Sequence, residues 1–184
     1  MSPLLRFDEV ALRRGGRLLF EGLSFELAPG EALRVGGPNG SGKSSLLRLA
    51  AGLLRAERGQ VERGALALAD DKPGLDGERS LDQALRFWTG RASTAALSAV
   101  GLDALAGMPV RYLSSGQIKR AGLARVIASD APLWLLDEPV NGLDDEGVGR
   151  LAEAVAAHRS ASGAVVATSH VALPGEWRRL ELGA

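Results

Sequence analysis

Gly37-Pro38-Asn39-Gly40-Ser41-Gly42-Lys43-Ser44 has the spacing G-x-x-x-x-G-K-[ST], which suits a loop that wraps a phosphate chain. The glycines let successive backbone N–H groups converge on a phosphate without side-chain clashes, and a following helix presents its positive N-terminus to the charge. The Lys43 ammonium can reach the β- and γ-phosphates, and the Ser44 hydroxyl can ligate Mg²⁺. A bare strand-to-helix bend would explain the glycines but neither the lysine nor the hydroxyl.

Leu133-Trp134-Leu135-Leu136 is an apolar run ending in Asp137 and Glu138. A carboxylate at the end of a strand beside the phosphate loop can hold Mg²⁺, the part Asp137 suits. Glu138 then falls where an attacking water has to be oriented and deprotonated. His170 follows a second buried-strand pattern, Ala164 to Ser169, and an imidazole at that strand's carboxyl end can contact a γ-phosphate. His158 lies three residues after Val155 on an apolar stripe near a helix end, which reads as a partly buried structural histidine.

These residues need a scaffold of strands that end together. Leu4–Leu12 and Leu18–Leu27 read as strands, and Ala32–Val35 as a short strand running into Gly36 and Gly37. Leu46, Leu49, Ala50 and Leu53 recur at helical spacing after the loop. Gln60–Ala69 has room for two short strands, and Asp70–Arg79 is polar and turn-rich. Helices are expected over Leu81–Trp88, Ala95–Leu105 and Gln117–Ser129, and along the stripe Val148, Leu151, Val155. Leu133–Leu136 and Ala164–Ala167 read as buried strands, with a last strand over Trp177–Leu182. Strands alternating with helices imply an α/β domain with a mostly parallel sheet.

Composition narrows the function. The 184 residues suit one domain. The absence of cysteine excludes a disulfide framework, a thiolate metal site and a cysteine nucleophile. Basic and acidic residues balance at 22 each, so there is no basic footprint for nucleic acid, and none is expected as a partner. No apolar run approaches the roughly 18 residues of a membrane helix. Met1–Glu9 lacks a basic stretch followed by a long apolar core, so no signal peptide is expected. The 24 glycines are about twice the average usage and suit tight turns and close backbone approach.

Leu113-Ser114-Ser115-Gly116-Gln117 resembles the LSGGQ signature of ABC-type ATPases, and it lies between the phosphate loop and Asp137-Glu138 as in that family. Asn141-Gly142-Leu143-Asp144 then stands in the place of the D-loop and His170 in that of the switch histidine. The resemblance implies an α/β phosphate-loop ATPase fold in a single domain, residues 1–184. Its mostly parallel sheet would be flanked by helices, with an antiparallel β part and a shortened helical subdomain at about residues 75–130. Glu138 and His170 would be catalytic, and Ser44 and Asp137 would hold Mg²⁺. ATP would be bound by Gly37, Pro38, Asn39, Gly40, Ser41, Gly42, Lys43, Ser44 and Ser45, and by Ser114, Gly116 and Gln117 of a second, head-to-tail copy.

A narrower resemblance rests on Arg17-Leu18-Leu19-Phe20-Glu21-Gly22-Leu23-Ser24-Phe25, on Met108–Gln117, on Leu133–Pro139 and on Gly147-Val148-Gly149-Arg150-Leu151. These segments are similar to the CcmA family of cytochrome c biogenesis ATP-binding proteins, described as haem-exporter ATPases. That implies a CcmB-like membrane-spanning permease as partner and a peripheral location on the cytoplasmic face of the inner membrane. Soluble ABC ATPases acting on DNA or ribosomes usually carry a long coiled-coil insert or two cassettes, and this chain has neither. A regulatory ABC protein without turnover is the alternative: Glu138 and His170 oppose it, while Arg14 and Lys72 keep it open.

Three departures stand out. Arg14 occupies the place of the aromatic that stacks on adenine, a role its guanidinium plane can also fill. Ser115 replaces the first signature glycine. The Q-loop glutamine is absent from Asp70-Asp71-Lys72-Pro73-Gly74. Lys72 stands there, either turned away from the metal or with Asp71 supplying an oxygen in its stead.

Overall fold

The computed structural model describes residues 2–70, 72–90 and 93–183. Strand β1 (Leu5–Arg14) turns back through Gly15-Gly16 into β2 (Arg17–Leu27). Both turn glycines have positive φ, as a two-residue hairpin demands. β4 (Arg58–Arg63) pairs with the other edge of β1, giving an antiparallel sheet of order β2-β1-β4.

The second sheet is parallel, with order β5-β6-β7-β3-β8. It comprises β3 (Ala32–Gly36), β5 (Leu66–Ala69), β6 (Leu133–Asp137), β7 (Ala164–Thr168) and β8 (Arg178–Glu181). β6 and β7 are buried along their whole length, which is why they read as unbroken apolar runs. Their side chains still divide by face. Leu133, Leu135, Ala164 and Val166 join Leu33, Val35, Leu46, Leu47, Phe7 and Val10 in one core, which lies between the two sheets and α1 (Lys43–Ala50). Trp134, Leu136, Val165 and Ala167 face the other way. There they meet Leu151 and Val155 of α5 (Asp145–Ser160) and the helices α2 (Leu81–Thr89), α3 (Thr94–Ala99) and α4 (Ser115–Ala128).

The structure corrects two expectations about helices. The helix expected over Ala95–Leu105 is broken: α3 ends at Ala99, Gly101 takes φ +67°, and only a single 3₁₀ turn, Asp103–Leu105, follows. Periodicity ran through the glycine, but a left-handed residue ends an α-helix. Likewise α1 stops at Ala50, Gly52 adopts φ +76°, and Leu53 is exposed rather than on the helix's buried face. No helix among the described residues is long and apolar enough to cross a membrane.

Candidate active site

The strand order brings the chemistry together. β7 lies between β3 and β6, so the phosphate loop after β3, the Asp137-Glu138 pair ending β6 and the Thr168-Ser169-His170 segment ending β7 leave the sheet at the same edge. A cleft of about 770 Å³ opens there. It is lined by Gly37, Pro38, Asn39, Gly40, Gly42, Lys43, Ser44 and Ser45, by Glu138, Asn141 and His170, and by Arg14 and Leu19.

The loop is tightly built. Gly37, Gly40 and Gly42 all take positive φ. At Gly37 a Cβ would sit 2.4 Å from the Leu182 carbonyl, so no other residue fits. Lys43 is 7% exposed, and its ammonium donates to the carbonyls of Gly37 (2.8 Å) and Pro38 (3.0 Å). With three donors on the group, one remains for a ligand in the cleft. Ser41 departs from the rest: it is buried under the loop, does not line the cleft, and its N–H donates to the Pro38 carbonyl.

Ser44 Oγ donates to Asp137 Oδ1 at 3.0 Å. A hydroxyl and a carboxylate in contact are the hard oxygen donors that a small divalent cation takes, together with phosphate oxygens. The Thr168 hydroxyl, fully buried, donates to the same Asp137 oxygen at 2.6 Å and accepts the Glu138 N–H at 2.9 Å. Sequence reasoning missed Thr168. Its signal was a hydroxyl ending a buried apolar strand, where an isolated polar group needs a partner.

Glu138 has φ +46°, an uncommon conformation for a residue with a side chain and one that concentrates at functional sites. Its carboxylate is partly buried and lies 2.9 Å from His170 Nδ1. The two expected catalytic residues thus meet at the mouth of the cleft.

The signature lies elsewhere. Ser114, Gly116 and Gln117 do not line this cleft. Ser114 and Gln117 form a reciprocal cap on α4: the Gln117 N–H donates to Ser114 Oγ and the Ser114 N–H to Gln117 Oε1. Gly116 packs so near the Gly142 carbonyl that a Cβ would come within 3.0 Å of it, tying the signature to the Asn141–Asp144 loop. Lys72 is exposed and lines a different cleft with Trp88 and Arg125. Asp71 lies outside the described residues. Asp70, one step beyond the Ala69–Leu136 register pair, lines a small cleft together with Asp137.

His158 serves structure. Its ring stacks on Trp134 at 3.8 Å between centroids, and Nε2 lies 3.2 Å from the Pro132 carbonyl. Burial pushes its pKa down from the ordinary value, partly offset by contacts with the backbone of Pro132 and Ala164.

The ABC transporter family model matches residues 20–141. The cytochrome c biogenesis ATP-binding export protein CcmA of Sphingopyxis alaskensis is 52% identical over 180 residues, spanning 94% of this chain and 93% of that protein. CcmA of Novosphingobium aromaticivorans is 54% identical over 168 residues, 88% of this chain and 86% of that protein. Among solved structures, an ATP-binding subunit of an ABC transporter superposes with TM-score 0.83 at 21% identity, covering 91% of this chain and 80% of that one. The fold, the order of its motifs and these relatives agree: the chain belongs to the ATP-binding subunits of ABC transporters, in the CcmA family.

Proposed function

We propose that this chain is the ATP-hydrolysing subunit of a cytochrome c biogenesis export system, bound to the cytoplasmic face of a membrane through a CcmB-like permease. The CcmA relatives support the system to which it belongs. The observation that carries the chemistry is the convergence of Lys43, Ser44, Asp137, Glu138 and His170 at one edge of the sheet.

Each residue has a part. The loop amides and the Lys43 ammonium hold the phosphates. Ser44 and Asp137 would hold Mg²⁺, which neutralises charge on the phosphoryl oxygens during transfer. Glu138 accepts the proton of the attacking water, and His170, hydrogen-bonded to the same carboxylate, orients it toward the γ-phosphate. Arg14 lines the cleft, and its guanidinium plane would serve to stack on the base.

Ser114, Gly116 and Gln117 act in a second copy. None of the three lines the cleft of its own chain. In a head-to-tail pair, the capped N-terminus of α4 would offer N–H groups and its dipole to the partner's γ-phosphate. ATP then closes the pair and hydrolysis opens it, a bistable interface biased by one phosphate. Residues 75–130 form the helical subdomain through which that motion reaches the permease.

Glu138→Gln tests the chemistry. It should retain ATP binding and lose turnover by about 10²-fold or more, the scale of a general base. Lys43→Ala should lose nucleotide affinity instead. Steady-state hydrolysis at the wild-type rate in Glu138→Gln would remove Glu138 from the role.

A further inference from the structure

β3 carries one residue that does not belong to a buried strand. Leu33 and Val35 point into the core shared with α1, and Arg34 points to the opposite face, in register with Ala167 of β7. Its side chain is only 15% exposed. Nη1 donates to the Val171 carbonyl at 3.1 Å and Nη2 to Glu181 Oε1 of β8 at 3.0 Å, while Nε has no partner among the described residues.

A mostly buried guanidinium whose carboxylate partner is half exposed is a poor device for stability alone, because an aliphatic side chain of similar volume is often as good or better. The guanidinium does something that an aliphatic chain cannot: it holds the carbonyl of Val171, the residue after His170. Val171 O also accepts from Ser169 Oγ at 2.9 Å, and Ser169 is itself buried, with its N–H donating to the Val35 carbonyl. His170 is therefore held on both sides, by Ser169 before it and by Arg34 through Val171 after it. The far end of the brace is fixed as well. The Glu181 carboxylate lies against Gly36, where a Cβ would fall 2.3 Å from Oε2.

We propose that Arg34, oriented by Glu181, is a positioning residue that sets the His170 ring against Glu138. Two donors fixed on one rigid plane suit the task, since the acceptor on one fixes the direction of the other. The proposal rests on the reading of His170 and Glu138 as hydrolytic residues. A shift of about 1 Å in a reacting group can cost on the order of 10²-fold, and loss of one of two anchors should cost less.

The experiment is steady-state hydrolysis of radiolabelled ATP by the full chain, so that a residual rate stays readable, in Arg34→Met, Arg34→Lys, His170→Ala and the double variant. Arg34→Met should lower kcat about tenfold and leave KM for ATP within about twofold. Arg34→Lys, with an ammonium that reaches one acceptor at a time, should recover part of that. In the His170→Ala background, Arg34→Met should change the rate less than about twofold, because the ring it positions is gone. Wild-type kcat in Arg34→Met, or the same tenfold loss without His170, would overturn the positioning role. A wild-type rate in His170→Ala would instead sink the reading of His170, and the positioning role with it. Should Arg34→Met not fold, Glu181→Gln keeps the acceptor but loosens its hold on the guanidinium. That variant has to show a smaller deficit in kcat alone, absent without His170, and a wild-type kcat there rejects the proposal.

Discussion

The Thr168 hydroxyl donates to Asp137 Oδ1 at 2.6 Å, on the same oxygen that accepts Ser44. One buried side chain from β7 thus holds the β6 carboxylate that also accepts Ser44 of the phosphate loop's helix, and by accepting the Glu138 N–H it fixes the peptide that carries the proposed base. Thr168→Val keeps the shape and deletes both hydrogen bonds, leaving the partly buried Glu138 N–H without that acceptor. The expected loss of stability is about 1–3 kcal/mol, read by urea denaturation. Hydrolysis should fall and the divalent-cation concentration for half-maximal rate should rise, with metal-free ATP affinity unchanged. An unaltered cation dependence would confine Thr168 to a structural part.

Lys72 points to a cleft of about 460 Å³ beside Trp88 and Arg125, away from the phosphate loop. An ammonium, with no acceptor, could not have ligated a cation in any case. Lys72→Gln should therefore leave hydrolysis within about threefold of wild type. Asp70, beside Asp137 at the end of the neighbouring strand, is the nearer oxygen donor, and Asp70→Asn should cost more than Lys72→Gln. Equal rates in the two variants, by steady-state assay, would remove Asp70 from consideration.

The parts of this molecule that could be read from its sequence are those in which a local pattern has one physical cause. The phosphate loop is such a case: its glycines, its lysine and its hydroxyl form the pattern expected of a loop around one anion, and all of its residues but Ser41 line the cleft. Asp137 and His170 were legible as polar residues ending apolar strands. Helix ends were not, because Gly52 and Gly101 stop their helices by adopting positive φ, and apolar spacing carries no sign of it. Thr168 and Arg34 were missed for a different reason. Their partners lie 30 and 31 positions away for Thr168 and 137 and 147 for Arg34, and only the β8-β3-β7-β6 order brings them together.

His158 gives the chain a pH-dependent term in its stability. The folded ring is held below its ordinary value near 6.5 by burial against Trp134. Between the folded and unfolded values the unfolded chain binds the extra proton, so stability rises with pH in that window. The contribution is therefore complete above about 6.5 and is lost as pH falls from there toward the folded value. His158→Phe keeps the stack and cannot titrate. Denaturation at pH 7.5 and 5.5 should show a larger loss for the wild type than for His158→Phe, and equal losses would refute the assignment. Gly163→Ala should disturb the same ring, since a Cβ there would lie 2.2 Å from His158 Nε2.

The division of the proposed site between two copies has the most exposed consequence. The cleft that holds Lys43 and Glu138 lacks the signature of its own chain, and the signature's Ser114, Gly116 and Gln117 face no phosphate loop within it. If the γ-phosphate is what joins the two halves, the chain should be monomeric without nucleotide and dimeric with Mg-ATP once hydrolysis is blocked by Glu138→Gln. ADP should not replace ATP, because the group that the capped α4 N-terminus would touch is missing. Adding Ser114→Arg should abolish the dimer, since it fills the capped N-terminus with a bulky cation, yet leave ATP binding to each copy within about twofold, because the phosphate loop is untouched. Light scattering at tens of micromolar protein reads the mass, and a fluorescent ATP analogue reads the binding. The permease can add its own hold on the pair, so the measurement is repeated in the membrane complex, where Ser114→Arg should reduce hydrolysis by about 10²-fold, the scale of losing preorganised charge stabilisation. A Glu138→Gln chain that stays monomeric at saturating Mg-ATP, together with a Ser114→Arg complex that still hydrolyses at the wild-type rate, would show that each copy completes its own site and would remove the sandwich.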